Sequence, residues 1–287
     1  MGRAFSDFWL KTMDKQVLIA FSLTLFAGLS TGIGSLIAFF AKRTNTRFLS
    51  ISLGLSAGVM IYVSFMELLT DAIDALSALH GDKLGTLYAL LAFFGGMLLI
   101  MIIDSLVPDA ENPHEARSVE EIGDVAQSQP DANAPHNEKL MRVGLVSALV
   151  LAIHNFPEGM VTFLAGLKDI SIAIPIALAI SIHNIPEGIA VSVPIYYATG
   201  DRKRAFWLSF LSGLSEPLGA LVGYLVLAPY LNDNMFGLMF AAIAGIMVFI
   251  SLDELLPAAK EYGEHLDAIY GLVAGMAIMA VSLLLLG

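Results

Sequence analysis

Residues 171–195 read SIAIPIALAISIHNIPEGIAVSVPI, a stretch whose only ionisable side chains are His183 and Glu187. It exceeds the roughly 20 apolar residues that a helix needs to cross the hydrocarbon core of a bilayer. In lipid every backbone N–H and C=O must find its partner inside the protein, and a continuous apolar run, unlike an alternating one, does so as a helix. In the middle of the run stands His183-Asn184-Ile185-Pro186-Glu187-Gly188. Residues three and four apart share a helix face, so His183 and Asn184 both look toward Glu187. Pro186 has no N–H to offer the carbonyl of Ile182, which predicts a kink and a freed carbonyl. Gly188 leaves room beside it.

The preceding apolar run repeats the pattern as His154-Asn155-Phe156-Pro157-Glu158-Gly159. His154 and Asn155 share a face with Glu158, and Pro157 frees the carbonyl of Ile153. Packed as antiparallel neighbours, the two runs bring two glutamates, two imidazoles and two amides together at mid-membrane. Neutral imidazole with carboxylate oxygen suits Zn²⁺, Fe²⁺, Co²⁺ or Mn²⁺; the chain has no cysteine, so a thiolate site of the Cu(I) kind is excluded.

Further outward, apolar runs recur near 17–41, 49–70, 86–107, 143–165, 171–195, 205–230, 236–257 and 269–286. A chain that is 57% hydrophobic and 14% charged is too apolar for a soluble domain, and eight helices use up nearly all of its 287 residues. The expectation is an all-α integral membrane protein, an eight-helix transmembrane bundle forming one domain over 1–287. Gly28/Gly32, Gly54/Gly58, Gly219/Gly223 and Gly271/Gly275 have the spacing that lets helix backbones approach closely.

Inside the runs lie Glu67, Asp104, Glu158, Glu187, Glu216, Asp253 and Glu254, with His154 and His183, and no Lys or Arg. Each ionised residue at the bilayer centre costs about 2.5–3.5 kcal/mol. Without basic partners these acids need protons, water or a cation from outside the chain. Glu67, Asp104, Asp253 and Glu254 lie toward the ends of their runs, where water relieves the cost. Glu158 and Glu187 lie deep.

The doubled HNFPEG/HNIPEG resembles the signature of the ZIP (Zrt/Irt-like protein) metal transporters, most closely the bacterial ZupT-like branch. Residues 52–69 (SLGLSAGVMIYVSFMELL), Ala198-Thr199-Gly200 followed by Arg204, and residues 251–257 (SLDELLP) extend the likeness over nearly the whole chain. The resemblance implies eight helices with an inverted three-helix repeat around spans four and five, and a transport site between those two spans. His154, Asn155, Glu158, His183, Asn184 and Glu187 match its positions, and Glu216 matches a carboxylate that completes a second metal position. Asp253 and Glu254 correspond to a pair on the release path and Asp104 to an acid on the same path, with Met66 or Glu67 near the entrance. The chain departs from some relatives by carrying Asn184 where they have an acid, and Asp253 where they have His.

The implied activity is transport of divalent transition metal, Zn²⁺ with Fe²⁺, Mn²⁺, Co²⁺ or Cd²⁺ open, as substrate and with no catalytic cofactor. Carrier and channel both stay open. The alternative is a membrane metalloenzyme with a carboxylate-bridged di-metal site. A protease would need H-E-x-x-H, which is absent, and helical di-iron sites use Glu-x-x-His, the reverse of the order here. Expected partners are the metal ions and the lipid bilayer, with a homodimer open and no nucleic acid.

Residues 108–139 form the one long acidic, Pro/Ala/Asn-rich stretch, expected to be a disordered inside loop; His114 and His136 within it are too scattered to specify a metal site. Met1-Gly2 with Ser6 formally fits an N-myristoylation pattern, which eight spans make superfluous. With the amino terminus outside, inside loops carry Lys42, Arg43, Arg47, Arg117, Lys139, Arg142, Arg202, Lys203, Arg204 and Lys260. Outside segments carry Arg3, Lys11, Lys15, Lys83 and Lys168. The excess places both termini outside a bacterial inner membrane.

Overall fold

The computed structural model describes residues 15–40, 46–105, 135–227, 230, 232–263 and 265–286, and no strand occurs among them. Helices α1 (Lys15–Phe40), α2 (Thr46–Val63), α3 (Leu69–His80), α4 (Asp82–Ser105), α5 (Pro135–Lys168) and α6 (Ile170–Thr199) make up the first five spans. They are followed by α7 (Arg202–Gly213), α8 (Ser215–Leu227), α9 (Asp233–Ile250), α10 (Leu256–Tyr262) and α11 (His265–Leu286). A π turn over Ser64–Leu68 joins α2 to α3 in one rod, and a second over Ser251–Leu255 joins α9 to α10. The helices α7 and α8 continue one another across Leu214. Seven of the resulting rods are long and apolar enough to cross a membrane. The eighth, α5, carries the first HNxPEG and packs along α6 and α8.

The ends of the rods differ from the expected ones. Span two runs on to His80, because α3 still buries Leu69, Ala72 and Leu76 along one face beyond the apolar run. Span four begins at Pro135, inside the stretch expected as loop; proline is preset for a first helical turn, where its missing N–H has no intrahelical partner anyway. Residues 106–134, with His114, and residues 1–14, with the myristoylation pattern, lie outside the described residues. Tight links set the up-and-down order: Gly81 (φ 80°) and Gly200 (φ 65°) end α3 and α6 in conformations that a Cβ disfavours. Asp169, Asp201 and Asn232 cap the helices that follow them. Asp169 Oδ1 accepts from Ser171 N at 2.8 Å, which holds its carboxyl below the usual range.

Packing of the rods follows an internal symmetry. Gly58 of span two abuts the Leu272 carbonyl of span eight, and Gly245 of span seven abuts the Phe93 carbonyl of span three. Gly275 meets the Leu55 carbonyl, as Gly96 meets that of Ala242. Gly34 of span one meets the Ile185 carbonyl of span five, as Gly219 of span six meets that of Phe156 in span four. Each contact becomes its partner when spans one to three exchange with six to eight and span four with five. Odd spans thereby exchange with even ones, so the repeat is inverted. The π turns obey it too: Ser64 and Ser251 each bond back to the carbonyl of the methionine four residues earlier, Met60 and Met247, at 2.7 Å. The Gly-x-x-x-Gly pairs thus find their places, with Gly54/Gly58 against Gly271/Gly275, Gly219/Gly223 against span four, and Gly28/Gly32 against span six.

Candidate metal centre

Helices α5 and α6 run without interruption through Pro157 and Pro186. The two prolines therefore cost each helix a hydrogen bond without ending it, as is tolerated where neighbouring helices cover the exposed backbone. Spans one and six pack beside these turns, with Gly34 and Gly219 against the carbonyls of Ile185 and Phe156, one residue before each proline.

On the facing sides of α5 and α6 the six motif side chains are buried, none more than 2% exposed. His154 Nε2 lies 3.1 Å from Glu158 Oε1 and 3.4 Å from Glu187 Oε1. His183 Nε2 lies 3.2 Å from Glu158 Oε1 and from Oε2. Both imidazoles thus aim Nε2 at Glu158, and His154 reaches Glu187 as well. Ligand atoms of His154, His183 and Glu187 fall within 4.8 Å of one another, a spread that one cation can gather. Both oxygens of Glu187 and one of Glu158 are buried without a hydrogen-bond partner. Orphaned carboxylate oxygens beside imidazole nitrogens form the mixed N/O donor set that suits Zn²⁺ and its neighbours.

Glu216, fully buried at the start of α8, accepts a short hydrogen bond from Asn184 Nδ2, which also donates to the Ala27 carbonyl at 2.9 Å. Asn155 Nδ2 reaches the Ser212 carbonyl at 3.5 Å. The amides thereby turn Asn155 Oδ1 and Asn184 Oδ1 away from these bonds; both oxygens and Glu216 Oε2 are buried without partners. All seven expected ligand positions accordingly lie at the junction of spans four, five and six.

The five expected path residues lie on or beside the two π turns, and Glu254 is within electrostatic reach of His154 and Glu187. Met66 and Glu67 sit on the first π turn, Met66 54% exposed and Glu67 half-buried. Asp253, exposed, and Glu254, half-buried, sit on the second, and Asp104 is half-buried near the end of α4. Because spans alternate in direction, the first π turn faces one end of the bundle, whereas the second, with Asp104, faces the other. The π geometry itself was not expected from the sequence. Its one available signal is the recurrence of Ser-x-x-Glu-Leu at 64–68 and 251–255.

The ZIP zinc transporter family model matches residues 15–283, which is nearly the whole chain. The chain belongs to the ZIP family. It is 62% identical to the zinc transporter ZupT of Oceanobacillus iheyensis, over 94% of this chain and 99% of that relative. It is 60% identical to the ZupT of Streptococcus mutans (95% and 99%) and 58% identical to that of Clostridium perfringens (94% and 96%). ZIP membership and the inverted packing agree on a multi-pass membrane bundle, with the doubled motif at its centre.

Proposed function

We propose that this protein moves divalent transition-metal ions, Zn²⁺ foremost, across a bacterial inner membrane into the cytoplasm through the α5–α6 cluster. The observation that carries this reading is charge without a counter-charge. Glu158, Glu187 and Glu216 are buried at 0–1% exposure, and no Lys or Arg lies in the apolar runs to neutralise them. A buried unpaired carboxylate is costly, whereas a divalent cation held by Glu158 and Glu187 converts the same burial into attraction. His154 and His183 replace part of the ion's hydration and favour Zn²⁺ over Mg²⁺ or Ca²⁺. A second ion sits more weakly at Asn155, Asn184 and Glu216, since two ions bring more positive charge than three carboxylates balance. Met66 and Glu67 line the approach from one end, and Asp104, Asp253 and Glu254 the departure at the other.

A metalloenzyme reading is not favoured: the relatives are named zinc transporters, and the order His-x-x-x-Glu fits neither zincin nor di-iron helices. Purified protein in liposomes is expected to take up Zn²⁺ with no other substrate added. Glu158→Ala and Glu187→Ala are each expected to abolish uptake while the protein stays inserted. Uptake near the parent rate in both variants would sink the proposal.

A further inference from the structure

Span one contributes an unassigned polar group to the junction. Thr31 is fully buried, and its Oγ1 has no hydrogen-bond partner. Other buried hydroxyls of α1 bond back along their own helix: Thr24 to the Ala20 carbonyl at 3.1 Å, Ser30 to Ala27 at 2.5 Å and Ser35 to Thr31 at 3.0 Å. The carbonyl that Thr31 would use in this way is Ala27, which instead accepts from Asn184 Nδ2 and from Ser30. A buried hydroxyl without a partner costs stability, so its position calls for another explanation.

The inverted repeat supplies one. Span one maps onto span six with Ala27 on Ser212, Gly28 on Gly213, Thr31 on Glu216 and Gly34 on Gly219. Each pair has a matching contact. Asn184 bonds to Ala27 as Asn155 bonds to Ser212, and Gly28 and Gly213 abut each other's carbonyls. The Thr31 carbonyl covers Gly188 of HNIPEG as the Glu216 carbonyl covers Gly159 of HNFPEG. A Cβ on Gly213 would meet Thr31 Oγ1 at 2.7 Å, and one on Gly28 would meet Glu216 Cβ at 3.3 Å, so both side chains flank the same Gly28–Gly213 crossing. Thr31 therefore stands to Asn155 as Glu216 stands to Asn184.

We infer that Thr31 Oγ1 is a neutral oxygen donor of the second cation position, completing a set with Asn155 Oδ1, Asn184 Oδ1 and Glu216 Oε2. All four oxygens are buried without partners. Three neutral oxygens and one carboxylate make a harder, less charged site than the N/O cluster beside it. Such a site holds a divalent ion briefly and passes it on. With Thr where the repeat has Glu in its other half, this position carries half the charge that a symmetric site would have.

The inference rests on the metal-centre reading above, and Zn²⁺ titration of the purified full chain in detergent separates the two. Thr31→Val is expected to weaken the second Zn²⁺ about tenfold, the scale on which metal sites answer to loss of a supporting group, while leaving the first ion's affinity unchanged and raising the melting temperature. Thr31→Ser should restore the parent's second step, and Thr31→Asp should tighten it about tenfold or more. An intact first step in each variant reports that the fold and the main cluster survive. Val and Asp variants whose second step equals the parent's, with only the melting temperature altered, would overturn the donor role and leave the metal centre standing. A parent that binds no Zn²⁺ at all would overturn both.

Discussion

His154 is set apart from His183 by its company, since its Nε2 lies within 3.4 Å of carboxylates from both α5 and α6. Removing its imidazole leaves an all-oxygen neighbourhood on one side of the cluster, and oxygen ligands discriminate poorly between Zn²⁺ and harder ions. Loss of a group that only orients a ligand already costs roughly 10–100-fold in metal affinity. His154→Ala is therefore expected to lower Zn²⁺ affinity by at least about tenfold, with less effect on Mn²⁺, narrowing the preference between them. Competition uptake of the two ions checks this, and an unchanged ratio would remove His154 from the ligand set. That the six motif side chains would cluster was legible in the sequence because HNxPEG is local: one helical turn places its three polar groups on one face. Thr31 was not, because what marks it is the loss of Ala27 as a partner and its equivalence to Glu216, both of which depend on helices distant in the chain.

At the scale of elements, close helix contact is concentrated at glycines, and their surroundings differ sharply. Gly58 lies against the Leu272 backbone, so a methyl group there must push spans two and eight apart. A Cβ on Gly95 meets nothing within 4 Å, so there the same change only improves helix propensity. Gly58→Ala is expected to destabilise the bundle by about 1–3 kcal/mol, as overpacking does, and Gly95→Ala to leave it unchanged or slightly more stable. Thermal unfolding in detergent compares them, and equal melting points would contradict this account of the span two–span eight seam. Hydropathy located the spans, since about 20 apolar residues in a row have few other uses. It missed the π turns, which displace the chain by a single residue without altering composition. The pairing of spans was readable only in part: glycine spacing marked four surfaces for close contact without naming the opposing helices.

Over the whole molecule, the inverted repeat leaves the direction of insertion undecided by the packing. Exchanging spans one to three with six to eight returns nearly the same bundle upside down, with Thr31 for Glu216 and Met66 for Asp253 among the differences. Orientation then falls to the loops, where basic residues are held on the cytoplasmic side. Asp201 caps α7 ahead of Arg202, Lys203 and Arg204 in the turn after span five. Asp233, in the turn before span seven, stands at the opposite end, in a link with no Lys or Arg between 231 and 235. In a chain that has no native cysteine, Asp233→Cys is expected to react in intact cells with a membrane-impermeant thiol reagent. Lys203→Cys is expected to react only with a permeant one. That labelling pattern would put the π turn of Met66 and Glu67 on the outer side and that of Asp253 and Glu254 on the inner side, as the proposed path of metal uptake requires. Labelling in the reverse order would place the acidic pair outside and turn the proposed path around, leaving the central cluster where it is.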